Sequence, residues 1–195
     1  VASDGQASGS GTFTLTVTPV NDYPVVADIA SESINEDTNL EIPIFASDID
    51  GNELTLSASG DNTTADFDGT TLTVTPDENY NGDIVVTVTA DDGNLTHSTS
   101  FTLTIKPVND APTLDELSDE SVEEDGVYTL GLSGSDIDGD PLTFGASVDG
   151  NGSASIEGST LTVIPSADFN GDIVVSVVAS DGQASGSGTF TLTVT

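Results

Sequence analysis

Cysteine, methionine and tryptophan are absent from this 195-residue chain, and basic side chains nearly so: 34 Asp and Glu face one Lys or Arg, for a formal net charge of −33. Without cysteine there is no disulfide staple, no thiolate-ligated zinc or iron–sulfur site and no thiol nucleophile. Without tryptophan, and with aromatics at 5%, there is no broad stacking platform for sugars or bases. Lys106 alone cannot displace counterions from a nucleic acid, hold an anionic membrane surface or form the basic flank of a signal peptide. No apolar run approaches the ~20 residues of a membrane span, which excludes insertion by a helix. The first residue is Val1 rather than Met, so the chain is expected to be a window of something larger.

What is present argues for a folded protein. Hydrophobic residues make up 35% of the chain and mean hydropathy is −0.03, too apolar for a charge-driven disordered segment. An anionic fold of this kind calls for counter-charge from outside, and a hard divalent cation is the obvious source.

Internal repetition sets the organisation. Pro-Val-Asn-Asp at Pro19–Asp22 recurs at Pro107–Asp110, and Ser-Asp-Ile-Asp-Gly at Ser47–Gly51 recurs at Ser135–Gly139, both at a spacing of 88. Leu72–Gly93 matches Leu161–Gly182 at a spacing of 89. Two repeats follow, 19–106 and 107–195. Residues 1–18 are identical to residues 178–195, so they are expected to be the two C-terminal strands of a preceding repeat.

Within each repeat the apolar period is two. Phe101, Leu103 and Ile105 alternate with Thr102 and Thr104; Ile84, Val86, Val88 and Ala90 alternate with Val85, Thr87 and Thr89; Leu40, Ile42, Ile44 and Ala46 behave alike. That is the pattern of half-buried antiparallel strands, and threonine suits their solvent face because it is β-branched yet polar. Short strands punctuated by Asp-Gly, Asn-Gly and Pro number about seven per repeat, which predicts all-β tandem Greek-key sandwiches. Pro43 marks a strand edge or bulge. Gln6–Gly11 and its copy read as a flexible hairpin turn. A ninety-residue sandwich without disulfides buries only about 60–65% of its unfolded surface, so a bound metal or a packed neighbour is expected to help it.

The carboxylates gather in the loops at matched positions: Asn21-Asp22 and Asn109-Asp110 in the linkers, Glu36-Asp37 and Glu124-Asp125 after the first strand, Asp48, Asp50 and Asp136, Asp138 after the second, and Asp92, Asp181 and Asp4 after the sixth. Strand direction sorts them. Asn21-Asp22, Asp48, Asp50 and Asp92 fall at the upper end of the first sandwich. Glu36 and Asp37 fall at its lower end, with the turn holding Asp77, Glu78 and Asn79; Asp168 takes the place of Asn79 in the second repeat. If the repeats stack end to end, Glu36, Asp37 and Asn79 meet Asp136, Asp138 and Asp181 across Asn109 and Asp110. Each close carboxylate pair at ~5 Å would cost roughly 0.8 kcal/mol even in bulk water. Calcium, which takes 6–8 oxygen ligands in flexible geometry, would relieve this. Against it stands the turn-forming habit of Asp-Gly and Asn-Asp-x-Pro, which needs no metal. Asp-Ile-Asp-Gly is not an EF-hand loop: glycine is fourth rather than sixth, and the twelfth position from Asp48 is Ser59.

The Pro-Val-Asn-Asp-x-Pro linker, Glu-Asp, Asp-x-Asp-Gly and closing Ser-Asp-Gly…Phe-Thr-Leu-Thr-Val-Thr together resemble the cadherin-like, immunoglobulin-like tandem repeats of giant bacterial surface proteins, including the extender regions of RTX adhesins exported by type I secretion. The likeness covers essentially the whole chain. It implies sandwiches arranged end to end with Ca2+ between them. Glu36, Asp37, Asn79, Asn109, Asp110, Asp136, Asp138 and Asp181 would be the ligands of one complete junction. Asn21, Asp22, Asp48, Asp50 and Asp92 would be the upper half of an earlier one, and Glu124, Asp125 and Asp168 the lower half of a later one. Asn79 in place of Asp168 departs from the pattern, and Asp77 or Glu78 could substitute for it.

The implied role is a calcium-stiffened spacer on the outside of a Gram-negative bacterium, with neighbouring repeats of the same chain as partners. Two alternatives are a homotypic assembly, with residues 1–18 replacing 178–195 in a second copy to build a fibre or biofilm matrix, and a carbohydrate-binding accessory module, which the aromatic content disfavours. Ice binding through outward threonines needs more than strand propensity supplies. Catalysis has little support, since the Asp pairs lie in sandwich-end turns rather than flanking a sugar cleft. His97, the sole histidine, reads as a solvated side chain. The sequons at Asn62, Asn94 and Asn151 carry little information.

Overall fold

The computed structural model describes the backbone of residues 1–195 and the surroundings of every side chain position except Gly9. It divides into two compact units, Val1–Lys106 and Pro107–Thr195. No helix is found among the described residues, and none is long and apolar enough to cross a membrane.

In the first unit, a short hairpin of β1 (Ala2–Ser3) and β2 (Ser8–Gly9) precedes the sandwich. The sandwich itself runs β3 (Val25–Val26), β4 (Glu32–Asn35), β5 (Leu40–Pro43), β6 (Ala46–Ser47), β7 (Thr55–Ser59), β8 (Thr63–Asp68), β9 (Thr71–Pro76), β10 (Gly82–Asp91) and β11 (Thr96–Lys106). The second unit repeats the plan as β12 (Thr113–Leu114), β13 (Glu120–Val122), β14 (Tyr128–Gly131), β15 (Gly134–Ser135), β16 (Thr143–Val148), β17 (Gly152–Glu157), β18 (Thr160–Pro165), β19 (Gly171–Ser180) and β20 (Ser185–Val194).

Each unit is a two-layer sandwich. One layer orders β4-β11-β10-β7 in the first unit and β13-β20-β19-β16 in the second. The other orders β5-β9-β8 and β14-β18-β17, extended by the two-stranded pairs β3-β6 and β12-β15. Nine short elements thus make seven strands, because the first and second strands are each broken once. The first begins beside β6 and, as β4, ends parallel to β11. The second changes partner at Ile44, whose N–H bonds Thr70 O at 2.8 Å while its side chain enters the core. Pro43 ends an edge strand, where its missing N–H costs no ladder bond.

The alternating residues do what their period demands. Leu72, Val74, Ile84, Val86, Val88, Ala90, Phe101, Leu103 and Ile105 close the first core, and Leu161, Val163, Ile173, Val175, Val177, Phe190, Leu192 and Val194 the second. Threonine and serine face out and pair across strands, as at Thr87–Ser100 (2.9 Å) and Thr89–Ser98 (2.8 Å).

Two readings of the sequence need correction. Ser185–Gly188 belongs to β20 rather than to a hairpin turn, pairing Ser180↔Ser185 through Val177↔Gly188. Its glycines make room for the first strand: a Cβ on Gly186 would lie 2.1 Å from Pro112 O. Likewise His97 is not a solvated side chain but half-buried in β11, where Nδ1 accepts the N–H of buried Val26 at 3.2 Å.

Candidate functional site: the loop ends of each unit

Strand polarity brings the upper acidic set of the first unit together from three chain segments. In the β6–β7 connection, Asp48 Oδ1 accepts the N–H of Asp50 (2.8 Å) and of Asn52 (3.3 Å), while Gly51, at φ +80°, closes the turn. Asp50 Oδ2 accepts the N–H of Asp22 at 2.8 Å, which fastens the incoming linker. In the β10–β11 turn, Asp92 Oδ1 accepts the N–H groups of Asn94 and Leu95, both at 2.7 Å, and Oδ2 accepts the Asn21 amide at 2.9 Å.

The second unit repeats this arrangement. Asp136 Oδ1 takes the N–H of Asp138 (3.0 Å) and Asp140 (3.2 Å), and Asp138 Oδ2 takes that of Asp110 (2.8 Å). Asp181 Oδ1 binds the N–H of Gln183 and Ala184 at 2.6 Å each, and Oδ2 binds the Asn109 amide at 2.9 Å. Hydrogen bonds from the Leu95 N–H and the Asn21 amide hold Asp92 below the usual carboxylate range, and those from the Ala184 N–H and the Asn109 amide do the same for Asp181.

One atom in each set lacks a donor. Asp48 Oδ2 and Asp136 Oδ2 are buried and accept no hydrogen bond. A buried carboxylate oxygen left this way is costly unless a cation or an ordered water supplies the missing partner. The acidic side chains of these sets offer only carboxylate oxygens, with no sulfur or imidazole among them, a donor set that suits a hard cation rather than a softer metal.

The lower sets assemble as well. Asp37 and Asn79 both take left-handed backbone (φ 58° and 56°), and Asp37 Oδ1 accepts the Asn79 N–H at 3.0 Å. Asp125 (φ 61°) and Asp168 (φ 56°) do the same at 3.2 Å. Glu36, which is buried, and Glu124 sit beside the last strands, their N–H groups bonding Lys106 O and Thr195 O at 2.9 Å. Within one unit, the ten-residue strand β10 or β19 separates lower from upper set, roughly 30 Å of extended chain.

Three participants escape a search for acidic pairs. Asn52 donates its amide to Asn21 Oδ1 at 2.7 Å; in the second unit Gln183 makes that bond to Asn109 Oδ1 at 2.8 Å, and Asp140 stands where Asn52 does. Their signal was the residue after each Asp-x-Asp-Gly and Asp-Gly.

A family model described as a bacterial Ig domain matches residues 21–106 and again 109–195. No curated protein matches. Among solved structures, Drosophila N-cadherin EC1-4 is similar at 17% identity with a TM-score of 0.51, over 90% of this chain and 50% of that one. Human protocadherin-24 EC1-2 is similar at 14% identity and TM-score 0.48, over 78% and 86%. An endo-fucoidan hydrolase of glycoside hydrolase family 107 is similar at 19% identity and TM-score 0.42; it is covered over 29% of its own length, against 89% of this chain.

Proposed function

The chain belongs to the bacterial Ig domain family, and from that premise we propose that its tandem repeats form a calcium-stiffened extracellular spacer. The observation that carries this reading is the pair of buried, donorless oxygens, Asp48 Oδ2 and Asp136 Oδ2, at the same position of both repeats. Each lies in a loop set where two other carboxylates, Asp50 and Asp92 or Asp138 and Asp181, are already oriented by backbone N–H groups, which reduces the ordering left to be done when a cation binds.

In this reading Asn21, Asp22, Asp48, Asp50 and Asp92, and likewise Asn109, Asp110, Asp136, Asp138 and Asp181, are the upper ligands of junction sites. Glu36, Asp37 and Asn79, and Glu124, Asp125 and Asp168, are the lower ones. When bound, calcium supplies charge neutralisation and a cross-link. The chain's residues supply the oxygens and, through the Asn21–Asp92 and Asn109–Asp181 bonds, tie the linker to its own sandwich. The setting that fits is a large surface adhesin of a Gram-negative bacterium, secreted whole and held out from the cell, with no catalytic role for these repeats.

The test is thermal melting and small-angle scattering of the chain in EDTA and in calcium. Calcium is expected to raise the melting temperature and narrow the distribution of dimensions. If neither moves, the proposal fails.

A further inference from the structure

One face of the first unit carries large apolar side chains where the second unit has small or polar ones. Burial alternates along β3 and β6 and the residues leading into them: Pro24, Val26 and Ile44 point inward, while Tyr23, Val25 and Phe45 are 63%, 56% and 71% exposed. The two segments lie side by side, held by the Val25↔Ser47 and Val26↔Ala46 pairs and by the Ala27 N–H on Phe45 O at 2.9 Å. The second repeat has Ala111, Thr113 and Ser133 at the three outward positions. Beside Phe45 lies a cleft of about 280 Å3 lined by Ile44, Ala46, Leu54, Leu56, Gly69 and Thr70, with no charged side chain among them in a chain of net charge −33. Here too the second repeat differs: Phe144 stands in the place of Leu56 and packs against its own core. The first repeat thus carries its ring outside and leaves the cleft open, whereas the second turns its ring inward and presents a serine.

We propose that this face is where two copies of the chain associate, each seating Phe45 in the cleft of the other. Ring and cleft adjoin on one surface, so a two-fold axis beside them makes the contact self-complementary. The cleft has room for a phenyl ring, since a cavity of about 150 Å3 admits benzene. Charge favours the same arrangement: copies of so acidic a chain meet at least cost where carboxylates do not face one another, and the cleft is such a place. Tyr23, Val25, Phe45 and the cleft walls together offer on the order of 500 Å2 of apolar surface per copy, the upper part of the range for a monomer's largest patch. Two such faces bury about 1,000 Å2, the threshold of a specific interface, so a single pair is weak. A tandem array carrying several such faces gains from their number. The contact uses none of the loop-end carboxylates and needs no calcium.

The experiment is sedimentation equilibrium of the full chain in EDTA and about 1 M sodium chloride, where the Debye length is about 3 Å, over protein concentrations from about 1 µM to about 1 mM. The weight-average mass is expected to climb from 19.7 kDa toward twice that value. Phe45→Ser removes the ring and Leu56→Phe fills the cleft; each is expected to weaken association about tenfold or more. Both are the residues that the second repeat carries at these positions, so the fold accommodates them, and melting of each variant serves as the folding check. On dilution of the unaltered chain, the Phe45, Leu54 and Gly69 amide resonances are expected to shift together. A chain that stays at 19.7 kDa throughout overturns the proposal. So does association that survives Phe45→Ser; its loss in Phe13→Ser would then place the contact on residues 1–18.

Discussion

At the scale of single residues, Asp48 and Asp136 each give Oδ1 to backbone N–H groups and keep Oδ2 buried without a donor. Asp92 and Asp181 instead use Oδ1 for backbone N–H groups and Oδ2 for an asparagine amide. The loop at Asp4 displays the backbone half in isolation: Asp4 Oδ1 accepts the N–H of Ala7 (2.7 Å) and Gln6 (2.9 Å), as Asp181 does for Ala184 and Gln183. The Ala7 bond first, then that from Gln6, holds Asp4 below its ordinary value of 3.8. A carboxyl that releases its proton more readily in the ordered turn stabilises that turn fully above the ordinary value. The contribution disappears as pH falls through the depressed value. The Gln6 and Ala7 amide resonances should therefore titrate with a midpoint below 3.8, and Asp4→Ala should remove the titration. A midpoint at the ordinary value would mean that the bonds do not persist in solution. The same scale shows what the sequence could not separate. The left-handed backbone at Asp37, Asn79, Asp125 and Asp168 by itself favours Asn or Asp, so the alternation of Asn79 with Asp168 is as much a turn preference as a ligand choice.

At the scale of elements, most of the fold was legible because burial on a sheet face alternates strictly. Inward residues such as Ile84, Val86, Val88 and Ala90 are buried one after another, while Val85 between them is exposed. The assembly of acidic loops at each end was legible too, since it follows from strand polarity alone. What the local pattern concealed was the use of glycine. Gln183–Gly188 has turn composition, yet Gly186 and Gly188 lie in β20, where a side chain would collide with the first strand. In the first repeat His97 stands at the corresponding place and bonds Val26 instead, so the same contact is built once by absence of a side chain and once by a hydrogen bond. Gly186→Ala should lower the stability of the second repeat by about 1–3 kcal/mol, the usual cost of forcing atoms into a packed contact. Residue-resolved hydrogen exchange would localise the loss. Equal protection in both variants would show that β12 shifts without cost. Exact sequence copies test the same point in another way: Phe190 is 3% exposed inside its sandwich, whereas Phe13, at the identical position of residues 1–18, is 89% exposed. Replacing 178–195 of one copy by 1–18 of another would exchange identical contacts, leaving the entropy of association uncompensated.

For the whole molecule, the net charge of −33 has two separable consequences, and they respond differently to ions. Diffuse repulsion among exposed carboxylates is screened by any salt, with the Debye length falling from about 10 Å at 0.1 M to about 3 Å at 1 M. If the proposed calcium sites form, the buried oxygens of Asp48 and Asp136 add a second response, to a cation that sheds water and coordinates them. Sodium chloride should accordingly raise the melting temperature of the calcium-free chain and then level off. Calcium at roughly millimolar concentration, the range of extracellular modules, should add a further increment, smaller at 1 M sodium chloride than at low salt but still present. Asp48→Asn together with Asp136→Asn should erase that surviving increment while leaving the response to sodium chloride intact. Were sodium chloride alone to reproduce the whole effect of calcium, the carboxylates would be acting as a charged surface, and the matched loops would be turns without a bound ion.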